Sequence, residues 1–309
     1  MRLEELRSRL PGVIAFPITP FNPDLTLDIP GLRRNLQQLM QHPIAAIVAA
    51  GGTGEMYSLT PSEHQEVVKA TVDEVGGRIP VIAGTGFNQQ MAVAFAQQSE
   101  KAGADAILAL PPYYPNADEE ALSEYYAAIG RATRLGLFVY SRDWVSPGPA
   151  WVERLAGKIP TLVGWKDGQG DTRRFQQIMS RVGDRLYWIG GVGDDCVPAY
   201  YSIGIRTYTS SIATVAPKLS LELHEAASAG DTPRLLRLMS DYVIPLYAMR
   251  SRRKGYEVSV MKAMMDLVGL TGGPVRPPLP NVRSEETVEL KAMLERWSRF
   301  LTCSTGSVR

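Results

Sequence analysis

The chain repeats one pattern eight times: a short apolar run, a turn, then a segment with apolar residues at helical spacing. The runs begin at Gly12, Ile44, Ile79, Ala104, Leu135, Thr161, Arg185 and Ile205. Each repeat has the length of a βαβ unit. The runs are continuously apolar rather than alternating, as a parallel strand buried on both faces requires. Eight such units are expected to close into an α/β fold of the (β/α)8, TIM-barrel type. An open doubly wound sheet is the rival, but no Gly-x-Gly-x-x-Gly fingerprint follows the first run. Helix starts are marked by Asp28, by the capping box Thr60-Pro61-Ser62-Glu63, and by Asp171. After residue 216 the pattern turns purely helical, at 217–229, 231–250, 256–269 and 284–301. The predicted organisation is therefore a barrel over 1–216, a helical extension over 217–301 packed on it, and a loose tail over 302–309.

Composition narrows the function classes. With 309 residues, 45% hydrophobic and 21% charged, the chain has ample core material for one large barrel. A formal net charge of +1 gives no electrostatic case for nucleic acid or an anionic membrane as partner. Cys196 and Cys303 cannot make a disulfide framework, so a reducing cytoplasm is the simplest setting. The first residues, Met1-Arg2-Leu3-Glu4-Glu5, read as neither signal peptide nor membrane span. His42, His64 and His224 are far apart and lack metal-ligand spacing, although a magnesium site of strand-end carboxylates stays open.

In a barrel of this kind the working groups gather at the C-terminal ends of the strands. The sixth run, Thr161 to Lys166, ends in a lysine and is followed by Asp167-Gly168-Gln169-Gly170-Asp171. A lysine at the inner end of an apolar strand loses hydration. That disfavours its charged form and frees a neutral amine to attack a ketone. The same lysine could instead run its stem out to solvent, and position alone leaves both roles open. The second run ends in Gly51-Gly52-Thr53-Gly54-Glu55. Its glycines allow a tight turn that presents backbone N–H groups, and with the Thr53 hydroxyl such a nest can hold a carboxylate. An ordinary βα turn would look the same. Tyr140 closes the fifth run, either as a proton carrier beside the lysine or as a core tyrosine with a satisfied hydroxyl. Arg142 could grip a carboxylate in bidentate fashion or pair with Asp143. Gly191 at the seventh run, with Ser210 and Ser211 at the eighth, are further candidates for substrate contact. A serine or cysteine nucleophile with a histidine partner finds no support.

Gly51-Gly52-Thr53-Gly54-Glu55, the Tyr140 strand end and Gly164-Trp165-Lys166-Asp167, in this order, resemble the dihydrodipicolinate synthase / N-acetylneuraminate lyase superfamily of Schiff-base barrels. The resemblance runs over nearly the whole chain. Within that superfamily, Gly52, Tyr140-Ser141-Arg142-Asp143, Lys166 to Asp171 and Arg252-Arg253-Lys254-Gly255-Tyr256 are most similar to the decarboxylating 5-dehydro-4-deoxyglucarate dehydratases. The resemblance implies that Lys166 forms a Schiff base with a substrate ketone and that Tyr140 moves protons. It implies that Thr53, with the backbone of Gly52 and Gly54, binds the carboxylate beside that ketone. It also implies a small sugar diacid as substrate, no cofactor, and a homo-oligomer, tetramer or dimer. Arg142 is expected to take the distal carboxylate. Many relatives carry a second hydroxyl residue where Gly52 stands, in a relay with a neighbouring subunit's tyrosine for which Tyr114 is the match. Glycine supplies no hydroxyl, which leaves that relay and the role of Tyr114 open. A sibling aldolase or synthase, acting on a 2-keto-3-deoxy sugar acid or on pyruvate, would use the same core residues.

Overall fold

A computed structural model of the chain describes residues 1–113 and 116–301. Tyr114 and the tail 302–309, with Cys303, lie outside the described residues. The apolar runs form eight parallel strands: β1 (Gly12–Ala15), β2 (Ala46–Ala49), β3 (Val81–Thr85), β4 (Ala106–Ala109), β5 (Gly136–Ser141), β6 (Leu162–Asp167), β7 (Tyr187–Gly190) and β8 (Thr207–Ser210). They close in sequence order, with β1 paired to β8 from Gly12 opposite Thr207 to Ala15 opposite Ser210. Helix α1 (Leu3–Ser8) leads in. It sends Leu6, joined by Leu10, into the inner core with Ile14, Phe138 and Val163. The outer ring is α2 (Ile29–Leu39), α3 (Pro61–Val75), α4 (Gln89–Ala102), α5 (Glu119–Ala132), α6 (Pro149–Lys158), α7 (Thr172–Val182), α8 (Val197–Ser202) and α9 (Pro217–Ala229). The expected caps operate at α2, α3 and α7: Asp28 accepts from the Gly31 N–H, Thr60 and Glu63 form the reciprocal box, and Asp171 accepts from the Arg174 N–H.

Two boundaries differ from expectation. Helix α9 follows β8 and packs against β1 and α8, so it completes the eighth βα unit. The extension thus begins after residue 229 rather than after 216. It consists of α10 (Thr232–Leu238), α11 (Ile244–Arg250), α12 (Tyr256–Leu267) and α13 (Ser284–Arg296). The single helix expected over 231–250 is interrupted between α10 and α11 by a π-turn at Met239–Val243. Pro245 lies at the start of α11. It has no N–H for the Asp241 carbonyl, and its ring crowds that carbonyl, so the backbone widens by one residue there. The extension is tied back to the first barrel helix by a reciprocal pair. Asn35 donates to the Thr271 carbonyl at 2.7 Å and accepts from the Thr271 N–H at 3.0 Å.

The β5–β6 pairing carries a register shift: Leu137 faces Leu162, but Phe138 faces Gly164. This extra residue changes the in–out phase of β6. Leu162 and Trp165 pack in the outer layer, Val163 turns inward, and Lys166 ends up opposite Tyr140. Gly164 makes the arrangement possible, because a Cβ there would lie 2.5 Å from the Phe138 ring and 2.9 Å from the Tyr187 carbonyl. Gly164→Ala is therefore expected to lower stability by roughly 1–3 kcal/mol through overpacking. Thermal unfolding checks this, and an unchanged midpoint would mean that the bulge yields freely.

Candidate active site

Lys166, next to last in β6, is 3% exposed inside the barrel mouth. Its Nζ donates to the Gly191 carbonyl at 2.6 Å and sits 3.4 Å from the centroid of the Tyr140 ring. Phe16 is the next aromatic, with its ring centroid 5.3 Å from the amine. An ammonium gains something from an aromatic face, but it loses more by leaving water with a single carbonyl to replace it. Burial accordingly pushes the Lys166 amine well below the usual lysine range. The Arg142 charge adds to this, and Asp167 opposes it. Burial thus favours the neutral form of the amine, and the Gly191 carbonyl aims it.

The carbonyl that holds it is itself held. Asp167 accepts from the Gln169 and Gly170 N–H groups and from the Tyr200 hydroxyl at 2.7 Å. Tyr200 in turn accepts from the Val192 N–H at 3.2 Å, which fixes the turn that carries Gly191. Gly191 must be glycine, since a Cβ there would lie 2.6 Å from Lys166 Nζ and 2.3 Å from the Asp167 carbonyl. Gly168 is equally constrained, with a Cβ 2.4 Å from the Tyr140 ring.

Tyr140 is buried, and its hydroxyl accepts from Arg142 Nη1 at 3.0 Å and lies 3.5 Å from the Gly191 carbonyl. Burial raises its pKa above the ordinary tyrosine value, with the Arg142 charge pulling the other way. The phenol is thus protonated at neutral pH, beside a cation able to steady a developing phenolate. Arg142 is half exposed and also pairs with Asp143 at 3.6 Å, which is one of the two roles open to it.

The loop after β2 is bracketed by two non-glycine residues in the left-handed region, Ala50 (φ 48°) and Glu55 (φ 54°). The Gly51 and Gly52 carbonyls accept from the Met56 and Glu55 N–H groups, and the Gly54 carbonyl accepts from Thr19 Oγ1 at 2.7 Å. Among the described residues, no acceptor is paired with the N–H groups of Gly52, Thr53 or Gly54, or with the Thr53 hydroxyl. Such a set of unpaired donors on one short turn, among the described residues, suits a carboxylate. The loop lies close to the amine: the Phe16 ring that flanks Lys166 comes within 3.0 Å of a Cβ placed on Gly51.

Ser210 does not join this rim as expected. It is fully buried. Its hydroxyl donates to Asp194, lies 2.8 Å from Ser220 Oγ and accepts from the Ala213 N–H at 3.0 Å, which uses its one donor and both acceptor sites. It supports the β8 end rather than facing substrate. Ser211 is taken by Arg250 Nη1 at 3.1 Å. No group of three or more His, Cys, Asp or Glu side chains among the described residues is placed to hold a metal ion. No described helix is long and apolar enough to cross a membrane.

The sequence pattern of the dihydrodipicolinate synthetase family matches residues 9–297. The chain belongs to that family. A family relative from Ralstonia nicotianae, named "Probable 5-dehydro-4-deoxyglucarate dehydratase", is 42% identical over 287 residues, covering 92% of each chain. Among solved family structures, dihydrodipicolinate synthase from Oceanobacillus iheyensis superposes with a TM-score of 0.90 at 28% identity, covering 96% of this chain and 100% of that one. Dihydrodipicolinate synthase from Acinetobacter baumannii, complexed with pyruvate, gives 0.84 at 28% identity, covering 93% and 98%. The barrel expected from the sequence is thus the family fold.

Several residues that shape this family site carried no sequence signal of their own. Phe16, Tyr200 and Tyr247 read as ordinary core aromatics until their partners are known. Tyr247 from α11 accepts from the Asp194 N–H at 2.7 Å and donates to its carboxylate at 3.3 Å. Asp194 is fully buried, and burial raises its pKa from 3.8 to about 6, against the opposing pull of Ser210, Arg250 and Tyr247. A carboxyl whose folded-state pKa is raised stabilises the fold fully below its ordinary pKa and loses that contribution as pH rises through about 6. Wild-type stability relative to Asp194→Asn is therefore expected to fall by roughly 2 kcal/mol between pH 4 and pH 7. Denaturant melts of both proteins across that window check this, and parallel pH profiles would contradict it.

Proposed function

We propose that this protein is a decarboxylating lyase that converts 5-dehydro-4-deoxyglucarate to 2,5-dioxopentanoate, CO2 and water through a Schiff base on Lys166. The observation that carries the mechanism is the buried amine of Lys166, set between the Gly191 carbonyl and the Tyr140 ring, where burial lowers its pKa. The substrate rests on the name of the Ralstonia nicotianae relative, and a 2-oxo acid at such a site is in keeping with the pyruvate complex of the Acinetobacter baumannii neighbour.

The substrate is a six-carbon diacid with a ketone at C5. Its C6 carboxylate docks on the Gly52, Thr53 and Gly54 donors, which brings C5 to Lys166. The amine adds to C5, and loss of water gives an iminium. This electron sink acidifies C4, and loss of a C4 proton gives an enamine that expels the C3 hydroxyl as water. The resulting conjugated iminium extends the sink to C2, so the C1–C2 bond can deliver its electron pair as CO2 departs. Reprotonation at C4 and tautomerisation of the C2 enol at C3 give the aldehyde, and hydrolysis of the iminium releases 2,5-dioxopentanoate and the free amine. One lysine thus serves both eliminations without a cofactor. Tyr140 is the proton carrier, donating to the departing hydroxyl and returning protons to carbon, while Arg142 steadies its phenolate and faces the C1 end of the diacid. The protein works as a cytoplasmic homo-oligomer on this reading.

The test is product analysis with 5-dehydro-4-deoxyglucarate. CO2 and 2,5-dioxopentanoate are expected in equal amounts, with Lys166→Ala inactive and Tyr140→Phe slowed by about 100-fold or more in kcat. The limb of the kcat/KM profile that reports the amine should fall as pH drops through the lowered pKa of Lys166, because the nucleophile is the neutral form. Release of pyruvate without CO2 would move the activity to the sibling aldolases, and full activity of Lys166→Ala would overturn the mechanism.

A further inference from the structure

The glycine loop after β2 is anchored from the far end of the chain. Glu55 and Lys262 form an ion pair at 2.5 Å with side chains 0% and 1% exposed. Lys262 Nζ also donates to the Pro274 carbonyl at 2.8 Å and lies 4.2 Å from the Phe21 ring centroid. The second Glu55 oxygen accepts from the Arg276 N–H at 3.1 Å. Arg276 extends the anchor outward, donating to the Ser58 carbonyl at 2.7 Å and to both carboxylate oxygens of Glu63 on α3. Three residues of the region 51–63, Glu55, Ser58 and Glu63, are thereby gripped by Lys262 of α12 and by Arg276.

A buried ion pair is a poor way to gain stability, because desolvating two charges offsets most of their attraction. Its value lies in fixing one geometry, and this loop needs fixing. Ala50 and Glu55 both sit at positive φ, which costs about 1 kcal/mol or more each in the absence of compensating contacts. At the Ala50 end, Gly84 leaves room for the strained backbone, since a Cβ there would lie 2.1 Å from the Ala50 carbonyl. At the other end the constraint is the Glu55 carboxylate. Between these two fixed ends stand the unpaired N–H groups of Gly52, Thr53 and Gly54.

We infer that the Glu55–Lys262 ion pair is a positioning device for substrate recognition: it holds the loop in the strained conformation that points these donors at the carboxylate beside the reacting ketone. The inference rests on the proposed Schiff-base reading of the site. Lys262 and Glu55 are positioning residues, since neither reaches the substrate. Because the device serves the carboxylate and not the amine, its loss should weaken 2-oxo acids selectively and spare ketones that have no carboxylate.

The test measures the rate of borohydride trapping on Lys166 with pyruvate and with hydroxyacetone, its neutral counterpart. The proteins are the wild type, Lys262→Met, Lys262→Arg and the double variant Glu55→Gln/Lys262→Met. The double variant leaves no unpaired buried charge and so keeps the measurement open if Lys262→Met alone unfolds. The half-saturating pyruvate concentration should rise about 10- to 100-fold in Lys262→Met and in the double variant, the loss of one or two charge-assisted N–H contacts. The limiting trapping rate and the hydroxyacetone rate should stay within about threefold of wild type, and Lys262→Arg should recover part of the pyruvate affinity. Equal losses for both ketones, or no loss for either, would overturn the inference while leaving the Schiff base standing. Absence of any Lys166 adduct in the wild type would overturn the Schiff-base reading itself.

Discussion

The site depends on one desolvated amine. Lys166 is taken out of water by the barrel mouth and, among the described residues, is given one hydrogen-bond acceptor, the Gly191 carbonyl, in place of its hydration shell. The rest of the rim follows from keeping that environment intact. Gly191 and Gly168 lack side chains because the lysine and the Tyr140 ring already fill the space. Asp167, the nearest carboxylate in sequence, is turned away and engaged by Tyr200 and by two backbone N–H groups. An acid left free at that position would pair with the amine and raise its pKa. Arg142 adds a positive field that disfavours the ammonium further and steadies the Tyr140 hydroxyl.

The helices beyond the barrel act on the same rim. Tyr247 on α11 clasps Asp194 at both its N–H and its carboxylate, just beyond the glycine turn that carries Gly191. Lys262 on α12 reaches Glu55 at the end of the glycine loop after β2. The extension therefore supports the two glycine-rich turns, after β2 and after β7, that have the least intrinsic reason to hold one shape. In this division of labour the strands carry Lys166 and Tyr140 while the added helices brace the loops.

Much of this was legible in the sequence, and the limits have physical causes. Strand and helix periodicity gave the barrel because parallel buried strands and amphipathic helices leave opposite patterns. Lys166 stood out as a charge ending an apolar strand, whereas Tyr140 and the glycine loop gained meaning only in combination with it, since a strand tyrosine and a glycine-rich βα turn are each ordinary alone. Ser210 was misplaced because a β8-end hydroxyl looks the same whether it faces the mouth or a buried carboxyl; only Asp194, Ser220 and the Ala213 N–H decide it. The break between α10 and α11 was written in Pro245, but whether a proline ends, kinks or widens a helix depends on its packing. The Glu55–Lys262 pair was beyond reach, because each partner resembles a solvated charge until the fold brings the two ends of the chain together.

The most direct measurement is the intact mass of the protein after incubation with 5-dehydro-4-deoxyglucarate and borohydride, with peptide mapping of the adduct. A covalent adduct on Lys166 alone, with a mass lacking CO2 and water relative to the bound diacid, is what a neutral buried amine acting as nucleophile predicts. Turnover of the diacid with no adduct, or an adduct carried by another lysine, would contradict the central role given to Lys166.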